Sequence, residues 1–379
     1  MIISMVLMIL FYGGMNFYII KKIHPVINIF GKDIYSKIFL GIYISLAVTL
    51  ILRFVLIYVE SNKVIKNIVN IISSYWMGIF FYILLFLVIA DLLILILVLT
   101  KVVSLNYIKN ITTYISLFVV LASIITSVVG VFNANKVNET FYNITTSREL
   151  KEKTKITFIS DVHLGAVNSE KRLESIVEKI NLQESDIVLI VGDLFDSDYT
   201  SIQNPDKAIE LLKSIKSKYG VYACLGNHDA GKTFDKMTEF IEKSNITVLN
   251  DEFVEIDNRF ILLGRLDGGP IGSQGGLVRQ DINNIDIPND NNLPVIVMDH
   301  NPLNINEYNN EVDLILSGHT HKGQIWPANI VTNNMYDVDY GYYNKDSNSP
   351  QVIVSSGSGT WGMPMRLGSQ CEIVTINLK

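Results

Sequence analysis

Five short stretches of this chain carry residues that bind metals or move protons. They are Asp161-Val162-His163, Gly192-Asp193-Leu194-Phe195-Asp196, Gly226-Asn227-His228-Asp229, Asp299-His300-Asn301-Pro302 and Gly318-His319-Thr320-His321. Carboxylate, amide oxygen and imidazole together suit borderline or hard divalent ions such as Mn, Fe or Zn. The donors exceed what one ion needs. Two ions about 3.5–4 Å apart can clamp an in-line displacement and supply hydroxide at neutral pH, provided one carboxylate is shared between them. A structural zinc site is typically a compact Cys/His tetrad, which this is not. The two cysteines, Cys224 and Cys371, lie in or beside apolar strands and read as small buried hydrophobes.

The positioning elements are legible in front of each motif. Ile156 to Ile159, Ile187 to Val191, Val221 to Leu225, Val295 to Met298 and Leu314 to Ser317 are short apolar runs that stop where the motif begins. Each reads as a buried strand delivering its last residues to a cleft, and in open α/β sheets ligands collect at the carboxyl ends of strands. A lone histidine is more often a hydrogen-bonded core residue. Five of the chain's six histidines placed alike at strand ends are poorly explained that way.

Amphipathic helical faces separate the first strands: Leu173, Ile176, Val177 and Ile180; Ala208, Leu211, Leu212 and Ile215; Phe234, Met237, Phe240 and Ile241. Later strands near 247–264, 351–356 and 371–378 have no helix between them, so the sheet is expected to be mixed. Residues 265–292 and 328–350 read as loops that could shape a substrate mouth.

The first third of the chain is different in kind. Mean hydropathy over the whole chain is +0.31, and apolar runs cover residues 1–20, about 38–59, 69–100 and 111–132. Each reaches the roughly 18–20 residues needed to cross a bilayer, so four spans are expected. Residues 1–150 hold 11 of the 31 Lys+Arg and 5 of the 37 Asp+Glu, leaving 151–379 acidic. An acidic domain offers no surface for nucleic acid. The organisation expected is a membrane domain at 1–133, a polar linker at 134–155 and an α/β domain at 156–379. Lys21, Lys22, Lys32, Lys37, Lys101 and Lys109 flank one side of the spans, against Lys63, Lys66 and Lys136 on the other. By the positive-inside rule this six-to-three bias makes the chain a multi-pass protein of the cell membrane with its C-terminal domain extracytoplasmic. Asp91 lies deep in the third span, where a carboxylate is either functional or paired, with Arg53 the expected partner.

The five motifs in this order resemble the calcineurin-like metallophosphoesterase family over about residues 155–379. The stretches Gly323-Gln324-Ile325-Trp326-Pro327 and Trp361-Gly362-Met363-Pro364-Met365-Arg366-Leu367-Gly368 are similar to a bacterial membrane-associated branch of it. The resemblance implies two packed mixed β-sheets flanked by helices, here preceded by an all-α transmembrane region. It implies two divalent metal ions (Mn, Fe or Zn): Asp161, His163 and His321 would hold one, Asn227, His300 and His319 the other, and Asp193 would bridge. A metal-bridging hydroxide would attack phosphorus of a phosphate ester or pyrophosphate, for which the membrane half makes a lipid-linked or envelope substrate attractive. His228 would protonate the leaving oxygen or stabilise the transition state, oriented by Asp196, with Asp229 supporting the site rather than ligating. The protein-phosphatase branch has an Arg where this chain has Ser197, which argues against a phosphoprotein substrate. Lys322 and Arg366 are candidate substrate-binding cations, and Arg265 and Arg279 further ones, each set against an ordinary surface role. The competing readings are a non-catalytic metal-binding scaffold and a membrane sensor built on Asp91. Every ligand position is filled, which disfavours the scaffold.

Overall fold

The structure is a computed structural model of the chain and describes residues 2–28, 33–56, 59, 61–148, 150–288, 292–346 and 348–379. It divides into two compact units, Met1–Gly130 and Val131–Lys379.

The four expected apolar segments are helices: α1 (Ile2–Asn28), α2 (Asp33–Val55), α3 (Lys63–Leu99) and α4 (Leu105–Ala134). All four are long and apolar enough to cross a membrane. Lys32 and the end of the expected second span lie partly outside the described residues. Two sequence expectations change here. Lys21 and Lys22 do not close the first span but lie within α1, which runs on to Asn28. Asp91 pairs not with Arg53 but with Lys22, whose Nζ is 2.6 Å from Oδ1, while Tyr18 Oη donates to Oδ2 at 2.7 Å. Tyr18 and Lys22 are one helical turn apart and so present both groups to one side of α1. Arg53 instead donates to Ser74 Oγ at 2.7 Å.

The second unit contains two six-stranded mixed sheets. The first sheet holds β1 (Val137–Ile144), β2 (Thr154–Ile159), β3 (Ile187–Val191), β4 (Val221–Cys224), β5 (Ile246–Val248) and β12 (Cys371–Leu378), in the order β1-β12-β2-β3-β4-β5. The second holds β6 (Glu252–Ile256), β7 (Phe260–Gly264), β8 (Val295–Met298), β9 (Leu314–Ser317), β10 (Gly341–Asn344) and β11 (Gln351–Val354), in the order β10-β11-β9-β8-β7-β6. Within each sheet the central strands β2 to β5, and β7, β8, β9 and β11, run parallel, with antiparallel partners outside them.

The alternation of side chains explains the uninterrupted apolar runs. Along β3, Ile187, Leu189 and Val191 point between the sheets, where Phe158, Leu262, Ile296, Met298 and Leu316 meet them. Val188 and Ile190 point the other way, onto α5 (Glu170–Leu182), α6 (Pro205–Lys213) and α7 (Phe234–Lys243). A strand covered on both faces must be apolar at every position. The helices carry the expected faces, and α6 is started by Asn204, whose Oδ1 accepts Lys207 N at 3.1 Å ahead of Pro205.

The linker expected at 134–155 is corrected: α4 runs to Ala134 and β1 then adds to the first sheet parallel to β12. An edge strand keeps a wet face, and β1 buries only Val137 and Ile144 fully, so its sequence reads as polar. The loop expected at 328–350 likewise contains α8 (Ala328–Met335) and β10. α8 buries none of its residues, so no apolar stripe marks it.

Leu189→Ala opens a cavity between the sheets and is expected to cost about 2–5 kcal/mol. Exposed Phe141→Ala on the edge strand should stay within about 0.5 kcal/mol. Thermal midpoints of the two full-length variants in detergent check the contrast.

Candidate metal centre

The loops leaving β2, β3 and β9 place their donors with a left-handed backbone. Asp161, His163, Asp193, His319 and His321 have φ between 49° and 68°. Such angles are costly for non-glycine residues and persist only where the surroundings enforce them. The first two loops enforce each other: Asp161 N donates to Gly192 O at 3.1 Å, His163 N to Asp193 O at 3.0 Å and Leu164 N to Leu194 O at 2.8 Å. Two of the neighbouring glycines are needed for close approach. A Cβ on Gly192 would lie 2.4 Å from His300 Nδ1, and one on Gly318 2.3 Å from Asp161 Oδ2.

The donors gather into a first cluster, Asp161 with His163 and His321, and a second, Asp193 with His300 and His319, while His163 also forms a third group with Asp196 and His228; in each the ligand atoms lie within 4.8 Å of one another. Asn227 joins the second cluster, its Oδ1 2.8 Å from His319 Nδ1. Asp193 lies between the first two: Oδ2 is 3.2 Å from His300 Nε2 and 3.7 Å from His163 Nε2, and Oδ1 accepts His228 N at 2.7 Å.

The hydrogen bonds show which ring atoms are free to bind. His300 Nδ1 is 2.9 Å from Val191 O, and a carbonyl only accepts, so the Nδ1 proton is fixed there. Its Nε2, wholly buried, has no hydrogen-bond partner and is aimed at Asp193. His321 shows the reverse arrangement. Arg366 Nη2 lies 2.9 Å from His321 Nδ1, and a guanidinium only donates, so the ring proton of neutral His321 is on Nε2. That atom is 3.1 Å from His163 Nε2 and 3.3 Å from Asp161 Oδ1. A cation replacing the proton meets three donors at once, and metal binding releases protons in this way.

Electrostatics agree with that role. Burial, the largest influence on each ring, pushes His163 down to about 3 and His319 down to about 4, and burial with the Arg366 charge holds His321 well below the usual range. These imidazoles are therefore neutral at pH 7. Burial raises Asp161 to about 6 against the opposing pull of His300. Burial also opposes ionisation of Asp193, but His300 outweighs it and holds that carboxyl far below the ordinary range. His300 is in turn raised well above its usual value, the Asp193 charge overcoming burial. The donor set fits a divalent cation: neutral rings, carboxylates and a buried ring nitrogen that only a proton or a metal could satisfy.

His228 lies beside the first cluster, its ring 5.0 Å from that of His163 and 5.7 Å from that of Trp361. The sequence expects Asp196 to orient it. In the structure Ser197 Oγ is on Nδ1 at 2.6 Å, and Asp196 Oδ1 is 3.7 Å from His163 Nδ1. Ser197 has φ 58°, and Asp196 stays within 4.8 Å of both His163 and His228. No spacing in the sequence announces Ser197 as the partner. Asp229 is a brace: its carboxylate accepts Phe195 N and Gly226 N, each at 2.9 Å, tying the β3 and β4 loops together. Burial and the Asp193 charge raise it to about 7.

The candidate substrate cations fall elsewhere. Arg366 is fully buried, and its guanidinium holds His321 O at 2.9 Å and Gly359 O at 2.7 Å besides the His321 ring. Its guanidinium is thus taken up by the His321 ring and neighbouring carbonyls. Lys322 has its Nζ 4.1 Å above the Tyr340 ring. Arg265 is buried on Asp251 at 2.7 Å, and Arg279 pairs with Asp299 at 2.7 Å. Both tie the 265–280 stretch onto the protein.

With this geometry in view, comparison with known proteins is specific. Residues 154–323 match the family described as Calcineurin-like phosphoesterase. An uncharacterized metallophosphoesterase of Campylobacter jejuni is 29% identical over 378 residues, covering 98% of this chain and 97% of the relative. One of Aquifex aeolicus is 31% identical over 226 residues, covering 59% of this chain and 85% of the relative. A Bos taurus transmembrane protein with a metallophosphoesterase domain is 30% identical over 243 residues, covering 59% of this chain and 53% of that protein. The chain belongs to the calcineurin-like metallophosphoesterase family.

Asp193→Asn removes the anion shared by both clusters. It is expected to weaken Mn2+ retention by more than the about 10–100-fold that loss of an outer partner costs. Arg366→Met, which removes such an outer partner, should fall within that range. Metal per chain after gel filtration separates the two.

Proposed function

We propose that the protein is a membrane-anchored phosphoesterase with a dinuclear metal centre. Asp161, His163 and His321 would hold one ion, Asn227, His300 and His319 the other, with Asp193 available to both. The observation that carries this reading is the placement of the Asp193 carboxylate between the two imidazole clusters, 3.2 Å from His300 Nε2 and 3.7 Å from His163 Nε2. When bound, Mn, Fe or Zn ions supply Lewis acidity toward a phosphoryl group and lower the pKa of water.

The chain's own residues do the rest. His228 delivers a proton to the leaving oxygen from Nε2 while Ser197 Oγ accepts from Nδ1, which keeps the ring oriented through the transfer. Asp193 Oδ1, accepting His228 N, links the acid to the metal clusters. Asp196, at the edge of the first cluster, adds a carboxylate near His163 and His228. The substrate is a phosphate ester or pyrophosphate, and the four apolar helices on the same chain favour one that is lipid-linked or part of the envelope. The excess of lysines on one side of the apolar segments favours a catalytic unit outside the cytoplasm; protease cleavage of that unit on intact cells supports the orientation, and protection until lysis reverses it.

The test is hydrolysis of p-nitrophenyl phosphate and bis-p-nitrophenyl phosphate by the full chain in detergent, metal-stripped and then restored with Mn, Fe or Zn. Metal-dependent turnover that Asp193→Asn abolishes is expected. Turnover unaffected by stripping or by that variant overturns the reading. His228→Ala should cost about 10²–10⁴-fold on an alkyl ester, whose leaving oxygen needs a proton, and much less on p-nitrophenyl esters, whose leaving group departs as an anion.

A further inference from the structure

Trp361 is a large apolar side chain that the fold itself does not use. Its residue is 53% exposed, yet its backbone is held rigidly. Trp361 N donates to Gln324 Oε1 at 2.8 Å, and Gln324 Nε2 donates back to Trp361 O at 2.9 Å and to Met363 O at 3.0 Å. Gln324 is buried and follows His321 by three residues, so the clamp joins the tryptophan's loop to the loop that carries a metal ligand. On the other side, Gly359 N donates to Asp161 O at 2.8 Å and Thr360 O accepts Asn168 Nδ2 at 2.7 Å. The backbone that carries the indole is therefore held relative to both ends of the first cluster. Its ring centroid is 5.7 Å from that of His228, at an interplanar angle of 56°.

An exposed hydrophobic residue by itself is ordinary. One immobilised against the proton donor is not, because position then dictates its neighbour. The oxygen that receives a proton from His228 belongs to the leaving alcohol. That alcohol must lie on the His228 side of the phosphorus, and there Trp361 is the wall. We infer that Trp361 is a specificity-determining residue that packs against the leaving group, selecting phosphoesters whose alcohol carries an aromatic or apolar body next to the ester oxygen. The inference rests on the phosphoesterase reading and on His228 as the acid. Aromatic platforms suit this task, since a flat face gains dispersion and edge contacts with a ring while tolerating variation in its substituents.

The experiment uses the full Mn2+-loaded chain in detergent and the ester class preferred in the chromogenic screen, with either 1-naphthyl or methyl as the leaving group. Phosphate or phosphomonoester release is followed. Trp361→Ala is expected to lower kcat/KM for the naphthyl ester by about tenfold, mainly through KM, and to leave the methyl ester within about twofold. Trp361→Phe, with its smaller ring, should lose less, about twofold on the naphthyl ester. Metal content and thermal midpoint should match the wild type, because the side chain lies outside the core. If Trp361→Ala fails that control, the naphthyl-to-methyl ratio of Trp361→Phe decides, with a loss of about twofold or more expected. Equal losses on both esters, or none, overturn the inference while leaving the phosphoesterase reading intact. Wild-type protein that turns over neither ester removes that reading and the inference with it.

Discussion

A carboxylate buried among imidazoles organises the catalytic unit. Asp193 is almost fully shielded from solvent, and an ionised carboxylate so placed costs several kcal/mol unless charges or donors surround it. Here the compensation is drawn from four separate loops. His228 N from the β4 loop donates to Oδ1, His300 from the β8 loop and His163 from the β2 loop face Oδ2, and the next loop's His319 completes the cluster. The strands must therefore end at nearly the same level, and the two sheets must be packed tightly enough to fix that level. The inter-sheet core of Phe158, Leu189, Leu262 and Met298 is the part of the fold that sets it.

The membrane unit solves a different problem with similar means. In lipid the apolar surface gives no preference for one helix arrangement, so polar side chains and aromatic packing choose it. Tyr43 donates to Asn16 Oδ1 at 2.9 Å, Trp76 Nε1 donates to Tyr12 Oη at 3.1 Å, and Tyr43 packs edge-on to Trp76 at 5.0 Å. The Lys22–Asp91 pair belongs to the same set and joins α1 to α3. Asp91 thus has a structural partner on a neighbouring helix, and its presence in the apolar run is accounted for without a sensing role.

What was readable in the sequence was whatever local pattern alone enforces. The strands that end in donors were clear because burial on both faces demands an unbroken apolar run and chemistry demands particular residue types where the run stops. The mixed sheets followed from strands without intervening helices. What was hidden depends on contacts between distant residues. Ser197 and His228 lie on different loops and meet only in the fold. Arg366 reads as a surface cation until its 45-residue separation from His321 closes in space. β1 and β10 are edge strands, half wet by necessity, and their polarity made them look like linker and loop. Lys22 seemed to mark the end of a helix that continues past it because its charge is neutralised inside.

The left-handed backbone at the ligand positions has a consequence for descent. At Asp161, His163, Asp193, His319 and His321 the chain tolerates few residue types, and β-branched side chains are among the least compatible. Two filters act on the same five sites, one chemical and one conformational, and they admit overlapping sets of amino acids. A lineage that abandoned catalysis while keeping this architecture would not drift freely there. It would accumulate asparagine and glycine, which satisfy the backbone without serving the metal. Divergent relatives can thus retain the outline of these motifs after their chemistry has gone, and the survival of the imidazoles together with the two carboxylates, more than that of the glycines, distinguishes a working centre from its fossil.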